Sequence, residues 1–305
     1  MANSIALAQK FLDIRALDEV YRVATKTSML DAPAGMIQDG MEANTIRIPQ
    51  VALQGLGAYN RQTGFVDGNV TFSYQTHTFS QDRGRKFIVD RMDDVETIRS
   101  AFAALTSQFM RVHVAPEVDA YRFATLAGAA GNTATEATLS ETTALEAIDL
   151  GVSVMADAEV PTENLAIFVT PEIMRYLKQS DLITRYYMTN VGTRMLNREI
   201  ETLDGKPVIV VPQARFYTNI TIYDGTTSGQ EAGGYIKNAT TGRDINFMIV
   251  DVDSMLGIKK LANPRIFSPD EYQDADAYAY DFRLYHDIFV PTNKANGIYL
   301  HNKTS

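Results

Sequence analysis

Cysteine and tryptophan are absent from this 305-residue chain, and histidine occurs only at His77, His113, His286 and His301. Without cysteine there can be no disulfide, thiolate zinc site, iron–sulfur cluster or cysteine nucleophile. That composition suits a reducing cytoplasm. The four histidines are scattered in sequence, so no H-E-x-x-H pair is available to a metal. No G-x-S-x-G elbow and no G-x-x-x-x-G-K-[ST] phosphate loop occurs. Gly55-Leu-Gly57 lacks the third glycine of a dinucleotide fingerprint. No catalytic residue, cofactor or metal ligand is therefore expected, and the chain is read as a non-enzyme. Long apolar runs are missing too. Gln9, Lys10 and Asp13 break the N-terminal apolar stretch, which fits neither a signal peptide nor a membrane span. Positive charge is scarce: 28 Lys and Arg stand against 37 Asp and Glu, a net of −9. That balance disfavours sequence-independent nucleic-acid binding as the main task, since phosphate neutralisation needs clustered Lys and Arg.

What is present is a globular composition, 45% hydrophobic and 10% aromatic. The length allows one large or two ordinary domains. Residues 5–24 carry apolar positions near spacings of three and four, Phe11 and Leu12 among them, which predicts a modest helix. A helix of that length needs an outside surface to cover its apolar side. Turn signals at Asp31-Ala-Pro33-Ala-Gly35 and Asp39-Gly40 make the rest of this region an irregular arm.

Residues 45–92 predict a long β ribbon around a glycine-rich tip. Thr45–Ile48 starts a strand that Pro49 follows; Val70, Phe72, Tyr74 and Thr76 alternate with Thr71, Ser73, Gln75 and His77; Arg83–Asp90 closes the segment. Such a ribbon is marginal alone in water. It holds six basic residues (Arg47, Arg61, Arg83, Arg85, Lys86, Arg91) and three acidic ones (Asp67, Asp82, Asp90), a net of +3. Residues 1–44 sum to −2 and residues 93–305 to −10. The charges either keep an exposed edge from aggregating or steer the ribbon onto the acidic surface of another copy.

Asp93 and Glu96 are spaced as a capping box. Behind them Val95, Ile98, Phe102, Leu105, Phe109 and Val112 form one apolar stripe. Pro116 should kink or interrupt this helix, and Gly128 or Gly131 should end it. The stretch 138–255 alternates: a helix at Thr142–Ala158, a buried strand at Leu165–Val169, a helix capped by Thr170 with Pro171 first, and a hairpin turn at Asp204-Gly205. Residues 223–244 read as a mobile loop, and Asp251 and Asp253 as an exposed pair at a strand end. Gly257–Leu261 and Pro264–Phe267 read as two short strands, Tyr278–Val290 as one long one, and Gly297–His301 as the last. Asp270, Glu271, Asp274, Asp276 and Asp281 form the densest carboxylate run, but without the glycine and terminal glutamate of an EF-hand.

Arm, long ribbon, long helix, compact α+β unit and terminal long strand, in that order, resemble the major capsid proteins of tailed bacteriophages, the Hong Kong 97-type fold. The residues that carry the resemblance are Asp82–Asp90, Val112–Asp119, Glu201–Val211, Arg283–Val290 and Lys294–Tyr299. It implies an α+β fold with an N-terminal arm (1–44), an extended β loop lying over an adjacent subunit (45–92), a peripheral domain with its spine helix (93–137), an axial domain (138–255) and peripheral return strands (256–305). It also implies a function: self-assembly into the icosahedral shell that encloses a phage double-stranded DNA genome. An encapsulin-like compartment and, further off, a metal-dependent enzyme at 270–281 are the alternatives.

The contacts between copies are assigned to Arg47, Arg61, Phe65, Arg83, Arg85 and Lys86 of the ribbon and to Phe11 and Leu12 of the arm. The expected partners are hexamers and pentamers of the chain itself, a portal, a decoration protein, and packaged DNA bound without sequence specificity. The chain begins almost at the arm, which implies a separate scaffolding protein unless the N-terminus has been trimmed. The expected location is the virion, with assembly in the host cytoplasm and no membrane. Lys86 or Lys294 with Asn293 or Asn296 would be the pairs for a covalent cross-link of the kind some family members form.

Overall fold

The computed structural model describes residues 25–32, 38–39, 44–62, 64–91, 108–180 and 200–304. The helix expected at 5–24, with Phe11 and Leu12, lies outside the described residues, as do Asp93, Glu96 and the first four residues of the apolar stripe, Val95 to Leu105. Seventeen labelled elements follow in chain order. They are β1 (Gln38–Asp39), β2 (Thr45–Leu53), β3 (Val70–Thr78), β4 (Gln81–Asp90), α1 (Ala115–Gly128), β5 (Asn132–Thr133), α2 (Ala144–Asp157), β6 (Leu165–Val169), α3 (Pro171–Gln179), β7 (Thr202–Leu203), β8 (Lys206–Val210), β9 (Ile220–Ile222), β10 (Tyr235–Lys237), β11 (Ile245–Asp251), β12 (Leu256–Phe267), β13 (Ala277–Phe289) and β14 (Ile298–Asn302).

The central layer is a six-stranded mixed sheet in the order β5-β14-β11-β6-β8-β7. β6, β11 and β14 are buried along their whole length, so both faces must be covered. On one face Ile148 and Met155 of α2 and Ile173 and Leu177 of α3 pack on Ile167, Val169, Phe247 and Ile249. On the other, Phe123 and Leu126 of α1 pack on Ala166, Phe168, Met248 and Val250. The strict alternation of β6 between the two cores is the period-2 side-chain geometry of a strand. Thr170 caps α3 by accepting from the Ile173 N–H at 3.3 Å, with Pro171 in the first turn. Asp204 and Gly205 both take positive φ, 49° and 77°, between β7 and β8, as a type I′ turn requires. The boundary drawn at residue 255 does not separate the sheets, because β14 pairs with β11.

A second, three-stranded antiparallel sheet has the order β12-β13-β4. β12 is one strand of twelve residues, not two short ones: Pro264 stays in register opposite Phe282, and the irregularity lies at Lys259/Leu261. Pro264 is tolerated because β12 is the outer strand of this sheet, where a missing N–H breaks no ladder. Pro49 is accommodated in β2 for the same reason, since β1 pairs only with Ile46 and Arg47. Tyr280, Phe282 and Leu284 of β13 pack against Met110, Val114 and Val118. The long helix runs through Pro116 without interruption. Residues Met110–Val114 form a π-helical turn just before it, and this widening relieves the clash between the proline ring and the carbonyl four residues back. α1 ends at Gly128, one of the two expected stops.

Three further differences have clear causes. Residues 223–244 are not a bare loop: β10 pairs with β9, and the Asp224 carboxylate accepts from the Thr226 and Thr227 N–H groups at 2.9 Å. A three-residue strand is too short to show a period. Asp251 is buried, not exposed, because it caps the turn Val252–Ser254 and accepts from Ser254 Oγ. β4 pairs with β13 and not with the hairpin β2–β3, so the expected ribbon is divided between two sheets.

Residues 25–32 are held by a buried polar clamp on α1. Asp119 accepts from the Lys26 N–H at 2.9 Å, from Thr27 Oγ1 at 2.7 Å and from Arg215 at 3.1 Å. Arg122, fully buried, donates to the Thr27 carbonyl at 3.0 Å and to Asp31 at 2.6 Å. Lys259 of β12 reaches the other oxygen of Asp31 at 2.8 Å.

Candidate assembly surface

The hairpin β2–β3 pairs nine residues without a break, from Thr45 opposite Thr78 to Leu53 opposite Val70. At about 3.4 Å per residue it projects roughly 30 Å. Residues directly opposite each other share a face. One face therefore carries Ile46, Ile48 and Gln50 with His77, Gln75 and Ser73. The other carries Arg47, Pro49, Val51 and Leu53 with Thr76, Tyr74, Phe72 and Val70. The first face meets the body at its root, where Ile46 and Phe79 are buried against Ile258 and Phe289. Phe79 lies edge-on to Phe289 at 5.3 Å, and the His77 ring sits 4.9 Å from the same phenylalanine. Burial lowers the pKa of His77, partly offset by the Asp287 carboxylate.

Among the described residues the second face is exposed from Arg47 to Leu53 and from Val70 to Thr76. Val51, Leu53, Val70, Phe72 and Tyr74 are each more than half exposed, as are Leu56, Tyr59, Phe65 and Val66 at the tip. Fourteen large apolar side chains are exposed among the described residues, and nine of them lie between Val51 and Tyr74. A contiguous apolar patch of this kind marks a surface made to be covered. The alternation that places Val70, Phe72 and Tyr74 on one face is legible in sequence. That the face points to solvent is not, because the same pattern serves a core.

The residues expected at contacts do not form one site. Arg47, Arg61 and Phe65 lie on the hairpin and are exposed. Arg83, Arg85 and Lys86 lie on β4 in the other sheet. Arg83 is half-buried and engaged within the chain, to Glu117 of α1 at 2.6 Å and to the Tyr223 carbonyl at 2.8 Å. Arg85 donates to the Glu231 carbonyl at 3.0 Å. Lys86 lies over the Tyr272 ring at 4.5 Å. Two of the ribbon's basic residues thus tie the 223–234 segment to β4. Lys294 donates to the Asp253 carbonyl, and Asn296 abuts Gly131, whose added Cβ would fall 2.6 Å from its Oδ1.

The carboxylates Asp270, Glu271, Asp274 and Asp276 are open to solvent, and Glu271 folds back to accept from Ser268. No three His, Asp or Glu side chains are grouped as a metal site needs among the described residues. His286 and Asp287 fall on opposite faces of β13. Asp287 accepts from Tyr121 Oη at 2.7 Å and the Ser80 N–H at 2.8 Å, and the Tyr121 ring lies edge-on to the buried His286 ring. No described helix is long and apolar enough to cross a membrane.

No protein-family model and no curated protein sequence matches the chain. Its architecture does have a class: the mixed α+β fold of phage capsid chains, with which it aligns over most of its length. A chain of the bacteriophage PhiM1 mature capsid superposes with a TM-score of 0.57 at 14% identity, covering 90% of each chain. A chain from Mycobacterium phage Che8 gives 0.53 at 14%, over 87% of this chain and 86% of that one. The capsid of cyanophage P-SCSP1u gives 0.52 at 12%, over 92% and 94%. At such identities the likeness is one of fold.

Proposed function

We propose that the chain is the major capsid protein of a tailed phage, assembling into the icosahedral shell that encloses a double-stranded DNA genome. The observation that carries this reading is a hairpin of about 30 Å whose apolar face is exposed among the described residues, on a fold shared with phage capsid chains. Burying Val51, Leu53, Val70, Phe72 and Tyr74 against another copy contributes about 1–2 kcal/mol each before the costs of association. A closed shell repeats that contact and strengthens each by the others. In this reading residues 1–44 are the arm and 45–92 the extended loop, of which the hairpin β2–β3 reaches over a neighbouring subunit while β4 pairs with β13. Residues 93–137 and 256–305 are the peripheral domain with its spine helix, except that β14 joins the sheet of the axial domain (138–255), in a Hong Kong 97-type arrangement. The body's acidic balance suits a container that must not adhere to a polyanion. Scaffolding, portal and decoration proteins are the partners such a shell needs, and the chain acts as a structural protein, not an enzyme.

Electron microscopy of the expressed chain, alone and with the scaffolding protein encoded beside it, tests the reading. Closed particles or capsomers are expected. A chain that stays monomeric at high concentration under both conditions overturns it. Particles that enclose a protein cargo and never DNA would make it a storage compartment.

A further inference from the structure

We propose that a cavity between β4, α1 and the 224–234 loop is the socket for the hairpin tip of a second copy of this chain, with Phe65 as the inserted ring; this rests on the shell reading above. The cavity measures about 170 Å³, and its apolar wall includes Phe87, Phe109, Val114, Phe282 and Leu284. Cavities of about 150 Å³ with such walls hold one benzene ring, so the space is sized for a single aromatic side chain. Its wall already presents ring edges and faces at contact distance: Phe87 and Phe109 are T-shaped at 4.9 Å, and Phe109 and Phe282 at 5.9 Å. Aromatic guests favour that arrangement.

The tip offers an exposed ring on an ordered turn. Phe65 is 88% exposed, so it is not housed by its own chain. It packs on Tyr59 at 5.0 Å. The turn beneath it is closed by reciprocal backbone hydrogen bonds between Asn60 and Gly64 at 3.1 and 2.7 Å, and Asn60 Oδ1 accepts from the Gln62 N–H. A pre-ordered knob loses little freedom on docking. Charge bears on the fit at one point. Of the two arginines lining the cavity, Arg83 is paired with Glu117, while Arg85 is held by a neutral carbonyl; Asp224, also in the lining, accepts from Thr226 and Thr227. Asp67 follows Phe65 by two residues on the tip, and an acid there would orient the approach toward Arg85. Arg85 also fixes the loop side of the cavity. It holds the Glu231 carbonyl, and Gly225 approaches it so closely that a Cβ there would fall 2.9 Å from Nη1.

The chain has no cysteine, so an engineered pair reports without background. Val66→Cys places a thiol beside the knob, and Ala232→Cys places one at the exposed mouth of the socket. A disulfide requires Cβ atoms about 4 Å apart. Oxidising particles of the double variant should give a ladder of covalent multimers on a non-reducing gel, absent from both single variants. Adding Phe65→Ala should slow that cross-linking at least tenfold. Particles that form without the ladder, a cross-link confined to one chain, or one indifferent to Phe65→Ala each overturn the socket and leave the shell standing. Failure of the unsubstituted chain to form particles removes the shell reading and the socket with it.

Discussion

Replacing His286 by phenylalanine should flatten the acid side of the stability curve. His286 is 2% exposed, lies edge-on to Tyr121 at 5.6 Å, and has no hydrogen-bond partner at Nδ1 among the described residues. Burial, and then the cationic groups of Arg122, Lys259 and Arg83, push its pKa from 6.5 down to about 3, with the Asp31 carboxylate opposing. The unfolded chain takes up the proton below about pH 6.5, and the folded chain only near pH 3. Between those values the unfolded state holds more protons, so folded-state stability falls as the pH falls. Each full unit inside the window is worth about 1.4 kcal/mol. Integrated from pH 8 to pH 5, the loss through this one side chain is about 2 kcal/mol. Urea unfolding of the unassembled subunit at fixed protein concentration, at pH 8, 6 and 5, measures it. Carboxylates titrate alike in both proteins, so the readout is the difference between wild type and His286→Phe. The wild type should lose about 2 kcal/mol more than the variant. Parallel pH profiles would refute the assignment of His286 as a buried neutral imidazole.

Phe72→Asp should abolish assembly while leaving the subunit's unfolding free energy within about 0.5 kcal/mol of wild type, since Phe72 is 57% exposed; sedimentation and denaturant curves check the two halves. Arg122→Ala removes a fully buried guanidinium and leaves the Asp31 carboxylate with Lys259 in place of two cations. It should cost about 3–5 kcal/mol and speed proteolytic clipping near residues 25–32. Normal clipping rates would mean the clamp does not hold the segment. Gly151→Val sets a Cβ 2.8 Å from the Tyr299 ring and 2.9 Å from Ile249 Cδ1. The overpacking cost of about 1–3 kcal/mol should exceed the gain of about 0.5 kcal/mol in helix propensity. A variant that melts above wild type contradicts the packing of α2 on the sheet.

Local signals carried the central layer well. Thr170-Pro171, Asp204-Gly205 and the apolar run of β6 each specify their conformation within a few residues. Errors came where distant partners decide. Pro49 and Pro264 break a strand only if a neighbour needs their N–H, and neither sits where one does. The assignment of β4 to β13 is a pairing across some two hundred residues, which no period within Arg83–Asp90 encodes. For the same reason Arg83 and Arg85 read as free charges although Glu117, Tyr223 and Glu231 occupy them. On the surface, the composition of the hairpin was visible, but the orientation of its apolar face was not.

The hairpin is joined to the body chiefly through the small aromatic root formed by Ile46, Phe79 and Phe289. Mechanically it is a lever on a short pivot. Over a reach of roughly 30 Å, a tilt of about 10° at the root carries the tip about 5 Å while the ladder itself stays intact. In the proposed shell, copies placed in unequal surroundings can then reach the same target with one sequence. The adjustment falls on a few ring contacts at the pivot, and the paired strands need not be rebuilt for each position.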